Sequence, residues 1–68
     1  MANDKLLKLI DAAAKGNVFA ATQLAESYMK GTFGPKNLEK ALKWGSYAAK
    51  RGDDNAVRLV EEIQKKMN

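Results

Sequence analysis

The chain contains neither cysteine nor histidine. Without cysteine there is no disulfide framework, and without both residues the usual structural zinc sites are excluded. The missing imidazole also removes the ordinary base for activating a serine or threonine nucleophile, so no catalytic triad can be assembled. Proline occurs once and aromatic residues make up 7% of the chain. No run of 18 apolar residues exists, which argues against a membrane span. The opening Met1-Ala2-Asn3-Asp4 places an acid where a secretory signal would carry basic residues, so no leader is expected and the cytoplasm is the expected compartment. The Gly31-Thr32-Phe33-Gly34-Pro35-Lys36 stretch has glycines and a lysine but not the Gly-Lys-Ser/Thr order that cradles phosphate; it reads as a turn.

What is present is modest in size and basic. Sixty-eight residues make one small domain, close to the lower limit for a core unsupported by disulfides or metals. Twelve Lys and Arg against eight Asp and Glu give a formal net charge of +4, which favours solubility and weak attraction to polyanions. Ten of the twelve cations are lysines, which are point charges more than readers of base edges.

Four helices follow from periodicity and punctuation. The first runs from Asp4 to Lys15, with Asn3 or Asp4 as N-cap, Leu6, Leu9, Ile10 and Ala13 on one face, and Gly16 past its end. The second opens at Asn17 and ends near Lys30, with Ala20, Leu24, Ser27 and Tyr28 inward and Ala21 and Ala25 permitting close approach. A third begins at Asn37 as N-cap and carries Leu38, Ala41, Leu42, Trp44, Ala48 and Ala49 toward Gly52. Its interior Gly45 costs roughly 1 kcal/mol relative to Ala, so it is either a close-packing point or a tolerated weakness. Asp53 or Asp54 caps the last helix, which sets Ala56, Val60, Ile63 and Met67 on its apolar face.

The chain also repeats itself with a shift of 36 residues. Leu6 recurs as Leu42, Ala12 and Ala13 as Ala48 and Ala49, Gly16 as Gly52, Ala20 as Ala56, Glu26 as Glu62 and Lys30 as Lys66. A fixed period of this length points to stacked helical units. The order Ala20, Leu24, Tyr28, Gly31, Pro35, Ala41, Trp44, Ala48-Ala49, Gly52 and Ala56 resembles the Sel1-like repeat, a helix-turn-helix relative of the tetratricopeptide repeat. Ala25 stands where that pattern has Gly, Phe33-Gly34 where it has Gly-Val, and Gly45 where an aromatic is common. The resemblance implies an all-α fold of antiparallel helix-turn-helix units, an α-solenoid fragment, with one full unit over about 17–52 and half-units over 3–16 and 53–68. It also implies that Tyr28 and Trp44 pack between helices.

The expected function is binding without catalysis. Glu61 and Glu62 diverge on their helix, Asp53 and Asp54 suit capping, and Asp11 and Glu26 have no evident partner, so no carboxylate pair is set up for acid–base work. On the second helix Phe19 shares a face with Thr22, Glu26, Met29 and Lys30, offset from Ala20, Leu24 and Tyr28. In related superhelical repeats this face lines a concave groove. Carried forward by 36 residues, the stripe becomes Asn55, Arg58, Glu62, Lys65 and Lys66. Phe19 and Met29 would supply apolar contact, and the charges would orient a protein or peptide partner; the alternative is that the apolar pair covers the first helix and the charges are merely solvated.

Such a module would act as a small adaptor, or as an inhibitor that blocks a larger protein, with no cofactor and no metal. Two other readings remain. Lys5, Lys8 and Lys15 with Lys36, Lys40, Lys43, Lys50 and Arg51 could track nucleic-acid phosphates, although a lysine-rich stripe is usually a solvated face. Leu7, Ala14, Val57 and Leu59 could close a compact unit or leave an apolar edge for a homodimer.

Overall fold

The computed structural model describes residues 4–68, which form four helices: α1 (Asp4–Ala14), α2 (Val18–Lys30), α3 (Leu38–Lys50) and α4 (Asp54–Met67). The fold is all-α, with consecutive helices packed as hairpins. Asp4 lies inside α1, and the alternative cap Asn3 lies outside the described residues. Among the described residues, no helix is long and apolar enough to cross a membrane.

One tight turn is built twice from the same residue pattern. At the end of α1, Gly16 N–H donates to the Ala13 carbonyl (3.0 Å) and Asn17 N–H to the Ala12 carbonyl (3.0 Å). At the end of α3, Gly52 N–H donates to Ala49 (3.0 Å) and Asp53 N–H to Ala48 (3.2 Å). These are the paired bonds of the Schellman motif, whose glycine takes the left-handed conformation; Gly16 has φ 103° and Gly52 φ 95°. The residue after each glycine also starts the next helix. Asn17 accepts from Ala20 N–H (3.0 Å), and Asp53 accepts from Asn55 (2.9 Å) and Ala56 (3.4 Å). A single residue thus closes one helix and caps the next, which fixes a sharp reversal with no spare loop.

The longer α2–α3 connection is pinned differently. Gly31 and Thr32 donate to the Ser27 carbonyl, and Asn37 N–H reaches back to the Tyr28 carbonyl at 2.9 Å. Asn37 then caps α3 by accepting from Lys40 N–H at 3.0 Å.

Among the described residues, seven of the ten buried apolar side chains are alanines, so the helices approach closely rather than interdigitating long side chains. Ala13, Ala20, Ala21, Leu24, Ala48 and Ala56 form the main cluster; Met29, Ala41 and Ile63 form a second one toward the other end of the molecule. Gly45 is a close-packing point. A Cβ built there would stand 3.0 Å from Val60 Cγ2 and 3.5 Å from Ala25 Cβ, so α3 runs close against α4 and α2 and a side chain there would crowd Val60. Met67, expected on the apolar face of α4, is exposed, because its place in the final turn lies beyond the Ile63 contact.

Candidate functional site

A cleft of about 330 Å³ runs between α2 and α4. Phe19, Thr22 and Glu26 line it from α2, and Asn55, Arg58 and Glu62 from α4. These are six of the ten residues expected to share a partner-binding face, and the helical offset explains why they meet. Each helix contributes positions three and four apart, which lie on one side of its cylinder.

Phe19 is the dominant apolar feature, with 66% of its surface exposed. Thr22 is committed to the fold: its hydroxyl donates to Asp53 Oδ2 at 2.6 Å, and its oxygen lies 3.2 Å from the Val18 carbonyl. This bond ties the middle of the cleft floor to the cap of α4. The Thr22 hydroxyl holds the Asp53 carboxyl below its ordinary value, with further support from the Asn55 and Ala56 N–H groups. Among the described residues, Arg58 has no ion-pair partner, and it shares the cleft with Glu26 and Glu62.

The remaining four expected residues fall elsewhere. Met29 is a correction: it is only 4% exposed and packs with Ala41 and Ile63. At about 100° per residue, ten residues of helix carry Met29 roughly 80° around from Phe19 and within about 40° of buried Ala25. It therefore belongs to the stripe that α2 presents to α3. Lys30 pairs with Glu26 at 2.9 Å and points along the α1 side of α2; that bond, with the Glu26 charge, raises its pKa. Lys65 and Lys66 are exposed in the last turn of α4 and do not line the cleft. They complement the carbonyl end of the helix.

Two clefts of more than 500 Å³ were not foreseen. One of about 570 Å³ lies between α1 and α2 and is closed by Thr32 and Phe33 of the loop, with Lys5, Lys8 and Lys30 on its walls. The other, about 520 Å³, separates α1 from α3. Its floor holds Tyr28, Trp44 and Tyr47, and its α1 wall is aliphatic, from Ile10, Ala13 and Ala14. Trp44 and Tyr47 meet nearly at right angles with centroids 6.0 Å apart, the edge-to-face arrangement aromatic rings prefer. Lys40 lies 5.5 Å from the Tyr28 ring centre and Arg51 lies 4.2 Å from that of Tyr47, both within cation–π range. Tyr47 is the residue that sequence reasoning missed. It sits three positions beyond Trp44 on α3, and that spacing was the available signal.

Three of the carboxylates have defined partners. Asp53 is occupied as a cap, Glu26 is paired with Lys30, and Asp11 is paired with Lys15 at 3.0 Å. Among the described residues no group of acidic side chains is arranged to hold a metal ion. In comparison with known proteins, the chain matches no family model, no curated protein and no solved structure.

Proposed function

We propose that this chain is a non-catalytic protein-interaction module of Sel1-like type, acting as a small adaptor or as an inhibitor that occupies a surface of a larger protein. The observation that carries this reading is the α2–α4 cleft, where an aromatic side chain exposed over two-thirds of its surface adjoins an uncommitted arginine. Exposed aromatic and arginine side chains are the types that dominate binding energy at protein interfaces. Glu26 and Glu62 on the same walls give the cleft both signs of charge, which suits a polar peptide with an apolar anchor. The family reading rests on the residue pattern and on the twice-built Ala-Ala-x-x-Gly turn. The cytoplasm is the compartment we propose, a chain without cysteine being compatible with a reducing one.

Self-stacking into a homodimer fits less well. The stripe that α2 presents to α3 is Ala21, Ala25 and Met29, all buried. The positions 36 residues later on α4 are Val57, Glu61 and Lys65, all exposed. Another helix packed there would strip water from a carboxylate and an ammonium group, a desolvation that is costly even where the two pair with each other.

The test is selection of peptides from a displayed random library on the folded protein, followed by affinity measurement with Phe19→Ala/Arg58→Ala. Both side chains are exposed, so the double variant should keep its helical circular dichroism. Binding should fall at least about tenfold, the equivalent of roughly 1.4 kcal/mol. Peptides that bind the folded double variant equally well would rule out this cleft as the site.

A further inference from the structure

The basic charge of this molecule is concentrated along one helix. Residues 36–51 hold Lys36, Lys40, Lys43, Lys50 and Arg51 against the single acid Glu39, a net +4 that equals the formal net charge of the entire chain. The rest of the sequence is therefore balanced, and α3 is the positive face.

That face is also concave. The aromatic cleft between α1 and α3 is joined at one end, through Tyr28 and Lys40, to a cleft of about 300 Å³ under the Pro35–Lys36 loop. At the other end it is joined, through Lys43 and Tyr47, to one of about 340 Å³ beside Lys50 and Arg51. Among the described residues, no acidic side chain lines any of the three. The three clefts share these lining residues and follow one another as a track along α3, whose 13 residues span about 20 Å.

We infer that this track binds an acidic segment of a partner protein, with one aliphatic or phenyl side chain of that segment seated in the central aromatic cleft between α1 and α3. Charge complementarity sets the sign of the ligand: basic side chains flank the apolar centre at both ends, and nothing on the walls repels a carboxylate. The centre sets the anchor. Ile10, Ala13 and Ala14 offer aliphatic surface opposite the Trp44–Tyr47 pair, a lining that an apolar side chain fills and a carboxylate does not. A track of about 20 Å accommodates about six residues in extended form or about thirteen as a helix.

A nucleic acid would use the same cations but needs open ring faces on which bases stack. Here one face of Tyr28 and one of Tyr47 are already covered by Lys40 and Arg51, and the opposite wall is aliphatic. The observations favour the peptide. The inference concerns a face separate from the α2–α4 cleft and does not depend on it.

Trp44 is the only tryptophan of the chain and lines the central cleft, so its emission reports occupancy directly. The experiment titrates the protein with a panel of fourteen-residue Glu/Asp-rich synthetic peptides, each carrying one Leu, Ile or Phe at a varied position. Controls are the same peptides with the anchor replaced by Ser, a lysine-rich peptide, and an oligothymidylate of equal charge. At least one acidic anchored peptide should shift Trp44 emission saturably and bind at least about tenfold more tightly than its Ser control. Lys40→Glu/Lys43→Glu alters two exposed side chains and should weaken that peptide at least about tenfold with the helical spectrum unchanged. Phe19→Ala/Arg58→Ala should leave it unaffected, which separates failure here from failure at the other cleft. The proposal is overturned if no anchored acidic peptide saturates by millimolar concentration, if the oligothymidylate binds more tightly than all of them, or if the folded charge-reversal variant binds as the wild type does.

Discussion

Replacing Gly45 by alanine sets two effects of similar size against each other. A glycine inside a helix is less favourable than alanine by roughly 1 kcal/mol, so on propensity alone the substitution stabilises. Yet the new Cβ would lie 3.0 Å from Val60 Cγ2, whereas carbon atoms in van der Waals contact settle at about 3.5–4.0 Å. The Val60 side chain, or the α3–α4 pair with it, would have to give by a few tenths of an ångström. Inserting a methyl into such a contact costs roughly 1–3 kcal/mol, so packing wins and Gly45→Ala should destabilise by about 1 kcal/mol net. The remaining neighbours, Ala25 Cβ at 3.5 Å and Ile63 Cδ1 at 3.9 Å, are ordinary contacts. The clash is therefore specific to one methyl group. In a Val60→Ala background the same glycine replacement should stabilise by about 1 kcal/mol, giving a coupling of roughly 2 kcal/mol between the two sites. Urea denaturation followed by far-ultraviolet circular dichroism measures all four corners of the cycle. In a domain of this size each kcal/mol also moves the melting temperature by about 4–8 °C. Stabilisation of the otherwise unaltered protein by Gly45→Ala, with no coupling to Val60, would refute the close approach of α3 and α4.

Leu24 is fully buried in the main cluster, so Leu24→Ala should lower stability by about 2–5 kcal/mol, enough to unfold a large part of the population at 37 °C; a melting temperature within a few degrees of wild type would contradict its place in the core. Asn37→Ala removes the side chain that accepts from Lys40 N–H and should cost about 1 kcal/mol in the same denaturation assay, whereas Asn37→Asp should cost little. Because the folded state holds the Asp53 carboxyl below its ordinary value of 3.8, its contribution to stability is full above that value and is lost as pH falls through the lower folded value. Thermal melts between pH 6 and pH 2 should therefore decline more shallowly at the acid end for Thr22→Val than for wild type; identical slopes would mean that the Thr22–Asp53 bond does not hold the carboxyl down.

The helices were legible because the capping chemistry is local. Asn17, Asn37 and Asp53 each cap through their own side chain, and Gly16 and Gly52 take a conformation that other residues resist, so five residues mark most of the boundaries without tertiary information. The α2–α4 cleft was reached because both walls follow from a single offset. Met29 was misplaced for a physical reason: a methionine suits a binding surface and a core equally well, and its register on α2 lies between the stripe facing the cleft and the stripe facing α3. Burial against Ala41 of α3 decides between them, and no pattern within α2 contains it. The aromatic cleft was harder still. Tyr28, Trp44 and Ile10 come from three helices, and what makes them a cavity is the gap between α1 and α3, which depends on how far apart Ala-rich neighbours hold those helices.

Amide chemical-shift mapping with the tightest peptide selected on the folded protein tests the central claim most directly. Saturable shifts should concentrate on Phe19, Gln23 and Glu26 of α2 and on Asn55, Arg58 and Glu62 of α4, and they should vanish in Phe19→Ala/Arg58→Ala. Shifts that spare both helices, or that persist unchanged in the folded double variant, would contradict the assignment of the α2–α4 cleft as the surface through which this module binds its partner.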